Sequence, residues 1–228
     1  MSSGDIKPHE VFKLGGFSVS ETMFSCMITV AGLVLFALVV RLLFIPRWVK
    51  NDAANARKLS GFRIMVESAV GFFDKNARET TGHLSGAVAP WYFAVVSLIC
   101  IGILTETLGL RPPVADLNFA LVMGLSTFLF FHFWGAREKK LRRFKRYLTP
   151  LVGQIFFLTD SIIPISLALR MFGSVFSGYM IMHLIYSLGW WSIGLNAVGT
   201  VMFTLFHAVV QSYIFFLLSM FFVAEAVE

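Results

Sequence analysis

Apolar runs of membrane-spanning length alternate with short polar or basic stretches along the whole chain. Residues 23–45, 87–110 and 117–135 each hold enough consecutive apolar side chains to cross, as a helix, a hydrocarbon layer about 30 Å thick. Residues 60–81 differ. Ile64, Val66, Ala69, Val70, Phe72 and Phe73 alternate there with Arg63, Glu67, Asp74, Lys75 and Arg78, which predicts an amphipathic helix lying on the membrane surface. The last 80 residues predict two further helices, 148–188 and 190–224. The first of these would be about 60 Å long at 1.5 Å per residue, so it must tilt, bend or sit within a protein interface. Gly189, Trp190 and Trp191 make the turn between them, and tryptophan favours the membrane–water boundary.

The expected architecture is therefore an all-α polytopic membrane protein, a single membrane domain over 1–228. It has five transmembrane helices plus one amphipathic surface helix, the last two helices forming a long tilted hairpin. Residues 1–22 are polar and lack the basic-then-apolar order of a cleavable signal, so we read them as a tail ahead of a retained first span.

Charge sets the orientation. Arg47, Lys50, Arg57 and Lys58 follow the first span, and Arg41 lies close enough to its end to reach the interface. Residues 136–147 form a basic loop, with seven Lys or Arg among the ten residues 137–146. Both stretches are cytoplasmic by the positive-inside rule, which puts the N-terminus outside and the C-terminus inside. The expected location is a bacterial plasma membrane.

Composition agrees. The chain is 57% hydrophobic and 14% charged with mean hydropathy +0.77, against about 45–50% and 25% for soluble domains. The net charge of +6 follows the ends of the apolar runs, which argues against nucleic acid as a partner and for contact with lipid headgroups. Cys26 and Cys100 fall inside apolar spans and read as small apolar residues. No Gly-rich phosphate loop, hydrolase triad or metalloprotease pattern occurs, so we expect no catalytic residues, metal or cofactor. No internal repeat suggests a secondary transporter.

One residue breaks the apolar pattern. Arg170 is the only Lys or Arg after Tyr147. A charge near mid-bilayer costs about 2.5–3.5 kcal/mol on insertion scales, and it commonly faces a protein partner or water. On a helix, Ser166, Gly173, Ser174 and Ser177 share its face, a stripe of small residues that lets another helix come close. Packing explains the small residues but not the arginine. His183 lies 13 residues on, about 20 Å toward the outer side, with Tyr179 one turn before it. Asn196, Thr200, Thr204, His207 and Gln211 recur at helical spacing on the returning helix and predict a hydrated path. Glu106, Asp116 and Asn118 stand near the outer ends of spans two and three. They suit either an outer vestibule or, for Asp116 and Asn118, capping of span three. Asp160 could line an inner exit or pair with the basic loop.

Three stretches carry a resemblance to a known family. Ser166-Leu-Ala-Leu-Arg170-Met-Phe-Gly173, Arg111-Pro-Pro-Val-Ala-Asp116-Leu-Asn118 and Gln211-Ser-Tyr-Ile-Phe215 resemble the arginine motif, the outer turn and the last-helix glutamine motif of subunit a of the F-type ATP synthases. The order of elements also matches. Two places depart from the family pattern: Ser174 stands where Asn is usual, and Tyr179 stands where many bacterial members have Glu.

The resemblance implies a non-catalytic stator beside a rotating c-ring, anchored to peripheral-stalk b subunits. It implies two offset half-channels carrying H⁺ to and from the ring carboxylates, with Arg170 between them and Gln211 nearby. His183, His207, Tyr179, Ser174, Ser177, Thr204 and Asn196 complete the expected ion-translocation set. Alternatives are Na⁺ as coupling ion, or a free-standing channel or secondary transporter.

Overall fold

The computed structural model describes residues 10–14, 17–53, 61–139, 152–189 and 192–227. Among them, five helical stretches are long and apolar enough to cross a membrane: Glu21–Val49, Ser85–Leu108, Leu117–Arg137, Ile162–Ser187 and Gly194–Glu225.

The first departure from expectation comes early. Within the stretch expected as a tail, β1 (Glu10–Leu14) and β2 (Phe17–Ser20) pair antiparallel. Ser20 then caps α1 (Glu21–Val39), its hydroxyl accepting from the Met23 N–H at 3.4 Å. The capping satisfies one of the donors that a helix start leaves open. The helix continues through a wide π turn, Val40–Phe44, into α2 (Ile45–Ala53). Pro46 supplies a reason for that turn: it brings no N–H and its ring crowds the carbonyl four residues back.

The amphipathic stretch folds as α3 (Gly61–Thr81). Its polar side is tied by i,i+4 pairs, Arg63–Glu67 at 2.7 Å and Asp74–Arg78 at 2.9 Å. Its other side meets the bundle through aromatic rings. Phe73 lies 5.0 Å from Phe216 and 5.4 Å from Phe93, edge to face.

A short hairpin follows, α4 (Ser85–Leu104) and α5 (Leu117–Lys139). The outer turn between them is built of two 3-10 turns, Thr105–Leu108 and Pro113–Ala115. Gly109 sits between them at φ +76°, a backbone conformation that a side chain would strain. Asp116 closes the turn. One carboxylate oxygen accepts from the Asn118 N–H at 3.0 Å, capping α5, and the other accepts from the Thr22 hydroxyl at 3.0 Å, tying α1 to the hairpin.

The last hairpin begins with α6 (Val152–Ser187), 36 residues, about 54 Å if straight. It returns as α7 (Ser192–Gly199), a π segment Thr200–Phe206, and α8 (His207–Val227). The return was expected as one regular helix; the extra residues per turn over Thr200–Phe206 interrupt it.

Two buried clusters hold these elements. One, of Ile99, Ile103, Val114, Leu167, Ala168, Met171, Val175 and Phe215, joins both hairpins at mid-depth. The other is aromatic, with Tyr92, Phe131 and Phe216 at its centre. Gly124 permits the closest crossing: a Cβ there would stand 2.5 Å from the Pro164 carbonyl oxygen on α6.

Candidate functional site

The core-facing side of α6 decides which way Arg170 points. Leu167, Ala168, Met171 and Val175 are buried in the mid-depth cluster, so the opposite side, with Ser166, Arg170 and Ser177, is exposed. Arg170 has no carboxylate partner among the described residues. Toward the N-terminal end of α6 it borders a cavity of about 250 Å³ with Ser166, Ile162, Ile163, Leu167, Leu218 and Phe222. Two hydroxyls on this stripe are turned back on their own helix. Ser174 donates to the Arg170 carbonyl at 2.8 Å, and Ser177 donates to the Gly173 carbonyl at 2.7 Å. Such back-bonding satisfies the hydroxyl proton inside the helix and leaves only oxygen lone pairs facing outward.

A second polar group forms where the outer turn meets the last hairpin. The 3-10 turn at Thr105–Leu108 ends α4 and brings Glu106 inward, 6% exposed. The π segment presents Thr204, 1% exposed, whose hydroxyl donates to Glu106 Oε2 at 3.3 Å. Glu106 Oε1 has no hydrogen-bond partner among the described residues. Tyr179 and His183 stack with ring centroids 6.2 Å apart, and the Arg111 guanidinium lies 5.6 Å from the centre of the Tyr179 ring. Glu106, Tyr179, Met182, His183 and Tyr186 line a cavity of about 360 Å³. Its place on α6 is about 14 Å beyond Arg170, nine residues at helical rise.

The returning helix keeps its polar residues off the lipid-facing side. Thr204 and Gln211 are buried, and Asn196, Thr200 and His207 are half-buried. Gln211, 4% exposed, lies on the face of α8 that also carries Ala208 and Phe215 into the mid-depth cluster. Asn196 Oδ1 and His207 Nε2 are buried atoms without a protein partner.

The structure thus brings Glu106, Thr204, Tyr179 and His183 together and sets Arg170 apart from them. Asp116 is engaged by Thr22 and by the α5 backbone, and Asn118 is exposed at that cap. The side chain of Asp160 lies outside the described residues, as does the basic loop beyond Lys139. Two features escaped the sequence reading. Arg111, 8% exposed, was placed only in the turn, although a cation flanked by Leu110, Pro112 and Pro113 signals a buried neighbour. The contact between Glu106 and Thr204 spans 98 residues and leaves no local trace.

Fold and site together define a polytopic helical membrane protein that keeps charged and hydrogen-bonding groups within its apolar body, where such groups are expensive and mark ion paths. Residues 26–224 match the family model of the ATP synthase A chain, and the chain belongs to that family. Curated relatives agree. Subunit a 2 of the ATP synthase of Syntrophotalea carbinolica is 30% identical over 148 residues, 60% of this chain and 62% of that protein. ATP synthase subunit a of Baumannia cicadellinicola is 29% identical over 74% of this chain and 72% of its own length, and that of Acinetobacter baumannii 26% over 79% and 76%. The match to the Syntrophotalea protein thus spans a little under two thirds of its length.

Proposed function

We propose that this chain is the ion-translocating stator subunit of a rotary F-type ATP synthase, set in a bacterial plasma membrane with its N-terminus outside. The observation that carries the reading is Arg170, a fixed cation on the exposed side of α6 with no carboxylate beside it among the described residues. A cation so placed suits a carboxylate on a moving partner, the c-ring. Arginine stays protonated at any working pH, so it cannot relay the ion, but it favours the ionised form of each passing carboxylate. Release of the bound ion follows on one side of Arg170 and reloading on the other.

The two cavities supply the offset half-channels. The larger, around Tyr179 and His183, is the outer one; the smaller, around Ser166 and Arg170, opens the inner one. His183, His207, Asn196, Thr204 and Gln211 extend the outer path, with Ser174 and Ser177 beside the ring. Asp160 lies on the inner side.

We assign H⁺ as the coupling ion, because His183 and His207 give the path side chains that can take up a proton and hand it on. The alternative is Na⁺, which the neutral oxygens of the lining would also tolerate. A transmembrane helix of the peripheral-stalk b subunits would lie against the apolar groove lined by α1, α3 and α4, with Arg41 at its edge.

The test is ATP-driven acidification of inverted vesicles in sodium-free buffer. Native protein acidifies; Arg170→Ala does not, although the complex assembles and hydrolyses ATP. Normal pumping by the variant refutes the reading. Native hydrolysis without acidification, accompanied by uptake of labelled sodium once sodium is added, assigns Na⁺. Purification without a ring or catalytic head would favour a free-standing channel.

A further inference from the structure

We propose that Glu106 is the carboxylate that accepts the ion from the outer water, and that Thr204 is its positioning residue. This rests on the stator reading above and assigns the chemistry of its outer cavity.

The site is built from three separate elements. The 3-10 turn at the end of α4 supplies the carboxyl group, α6 supplies Tyr179, His183 and Tyr186, and the π segment supplies Thr204. Glu106 is more than nine-tenths buried, yet only one of its oxygens is bonded by protein. An acid in an apolar body with one oxygen unsatisfied is costly, and nothing in the packing requires it. Oε1 belongs to a residue lining a cavity of about 360 Å³, room for several waters.

Other acids fit the role less well. Asp116 has one oxygen on the α5 backbone and the other on Thr22, so it is spent on structure. Glu21 lies in the first turn of α1, where acidic residues suit the helix dipole. No other Asp or Glu lines the cavity.

The step balances simply. A water in the cavity hands its extra proton to Glu106 Oε1, forming an O–H bond. The same proton then leaves for a ring carboxylate, directly or through water, and Glu106 returns to its ionised form. Thr204 holds Oε2 as acceptor throughout, so Oε1 is the oxygen left to exchange. The groups facing this event are Tyr179, His183 and Tyr186 from α6, Thr204 from the π segment, and Arg111 over the Tyr179 ring.

The experiment uses the whole complex in vesicles in sodium-free buffer and compares native protein, Glu106→Gln, Glu106→Asp, and Glu106→Gln combined with Tyr179→Glu. Tyr179 lines the same cavity, so a carboxyl there can take over. The expected result is a fall in acidification rate of about tenfold or more for Glu106→Gln, the scale of losing a proton-transfer group. Glu106→Asp and the double variant recover a substantial part. Pumping by Glu106→Gln within about twofold of native overturns the proposal. A loss shared by Glu106→Asp and not recovered by the double variant also overturns it, because the role is then structural. If Glu106→Gln does not assemble, Thr204→Val and Thr204→Ser decide: a several-fold lower rate for Val with near-native Ser supports the proposal, and equal rates overturn it. Arg170→Ala runs alongside. Its loss beside normal pumping in Glu106→Gln removes only Glu106; normal pumping in both removes the stator reading itself.

Discussion

Arg170 and Asp116 are both charged residues in an apolar chain, but they differ in what surrounds them. Arg170 is exposed beside serines that bond their own helix, so its guanidinium remains available. Replacing it with lysine keeps a cation in solution but not in an apolar setting, because an ammonium sheds its proton on burial while a guanidinium does not. Arg170→Lys is therefore expected to lose coupled pumping nearly as fully as Arg170→Ala, measured as vesicle acidification. Asp116 has both oxygens engaged. Asp116→Ala removes a helix cap, worth about 1 kcal/mol, together with the tie to Thr22. It is expected to lower the thermal unfolding midpoint of the complex while leaving pumping per assembled complex unchanged. Sequence alone singled out Arg170, since a lone charge in an apolar run is visible in one dimension. It could not rank Glu106 above Asp116, because which acid is spent on a cap depends on partners 2 and 94 residues away.

At the scale of elements, the five spans and the surface helix were readable because lipid leaves few options: an apolar run of that length must satisfy its backbone as a helix. The interruptions were less visible. The π segment Thr200–Phe206 arises within a run with no proline, and the hairpin Glu10–Ser20 arises where Val11, Phe12, Leu14, Phe17 and Val19 flank Gly15-Gly16, a turn signal too short to register in a reading for membrane spans. Helix crossings were likewise hidden, since a glycine in a span can serve packing or nothing. The structure separates two such glycines. Gly124→Ala puts a methyl 2.5 Å from the Pro164 carbonyl oxygen, backbone that cannot step aside without parting α5 from α6. We expect Gly124→Ala to reduce the amount of folded subunit recovered from membranes.

For the whole molecule the relevant contrast is Gly173, which shares the exposed side of α6 with Arg170 and has nothing within 4 Å of its hypothetical Cβ. Gly173→Ala is expected to leave subunit abundance unchanged. It should still weaken co-purification of the c-ring, because the added methyl stands where a second helix would approach. Equal ring recovery with native protein would place the ring elsewhere. The family was legible in the sequence through three motifs in order, whereas the separation of a bare cationic face from a cavity with a buried carboxyl group needed the fold.

The inward-bonded serines carry one last consequence. With the Ser174 and Ser177 protons committed to their own helix, the guanidinium is the one charged donor this stretch of α6 offers to anything passing over it. Seen from a turning ring, the surface works as a bearing with a single detent: each carboxylate meets one point of grip, with smooth, weakly polar ground before and after it. Adding a second cation a turn away from Arg170 would create a second stop, and the motor would slow without leaking.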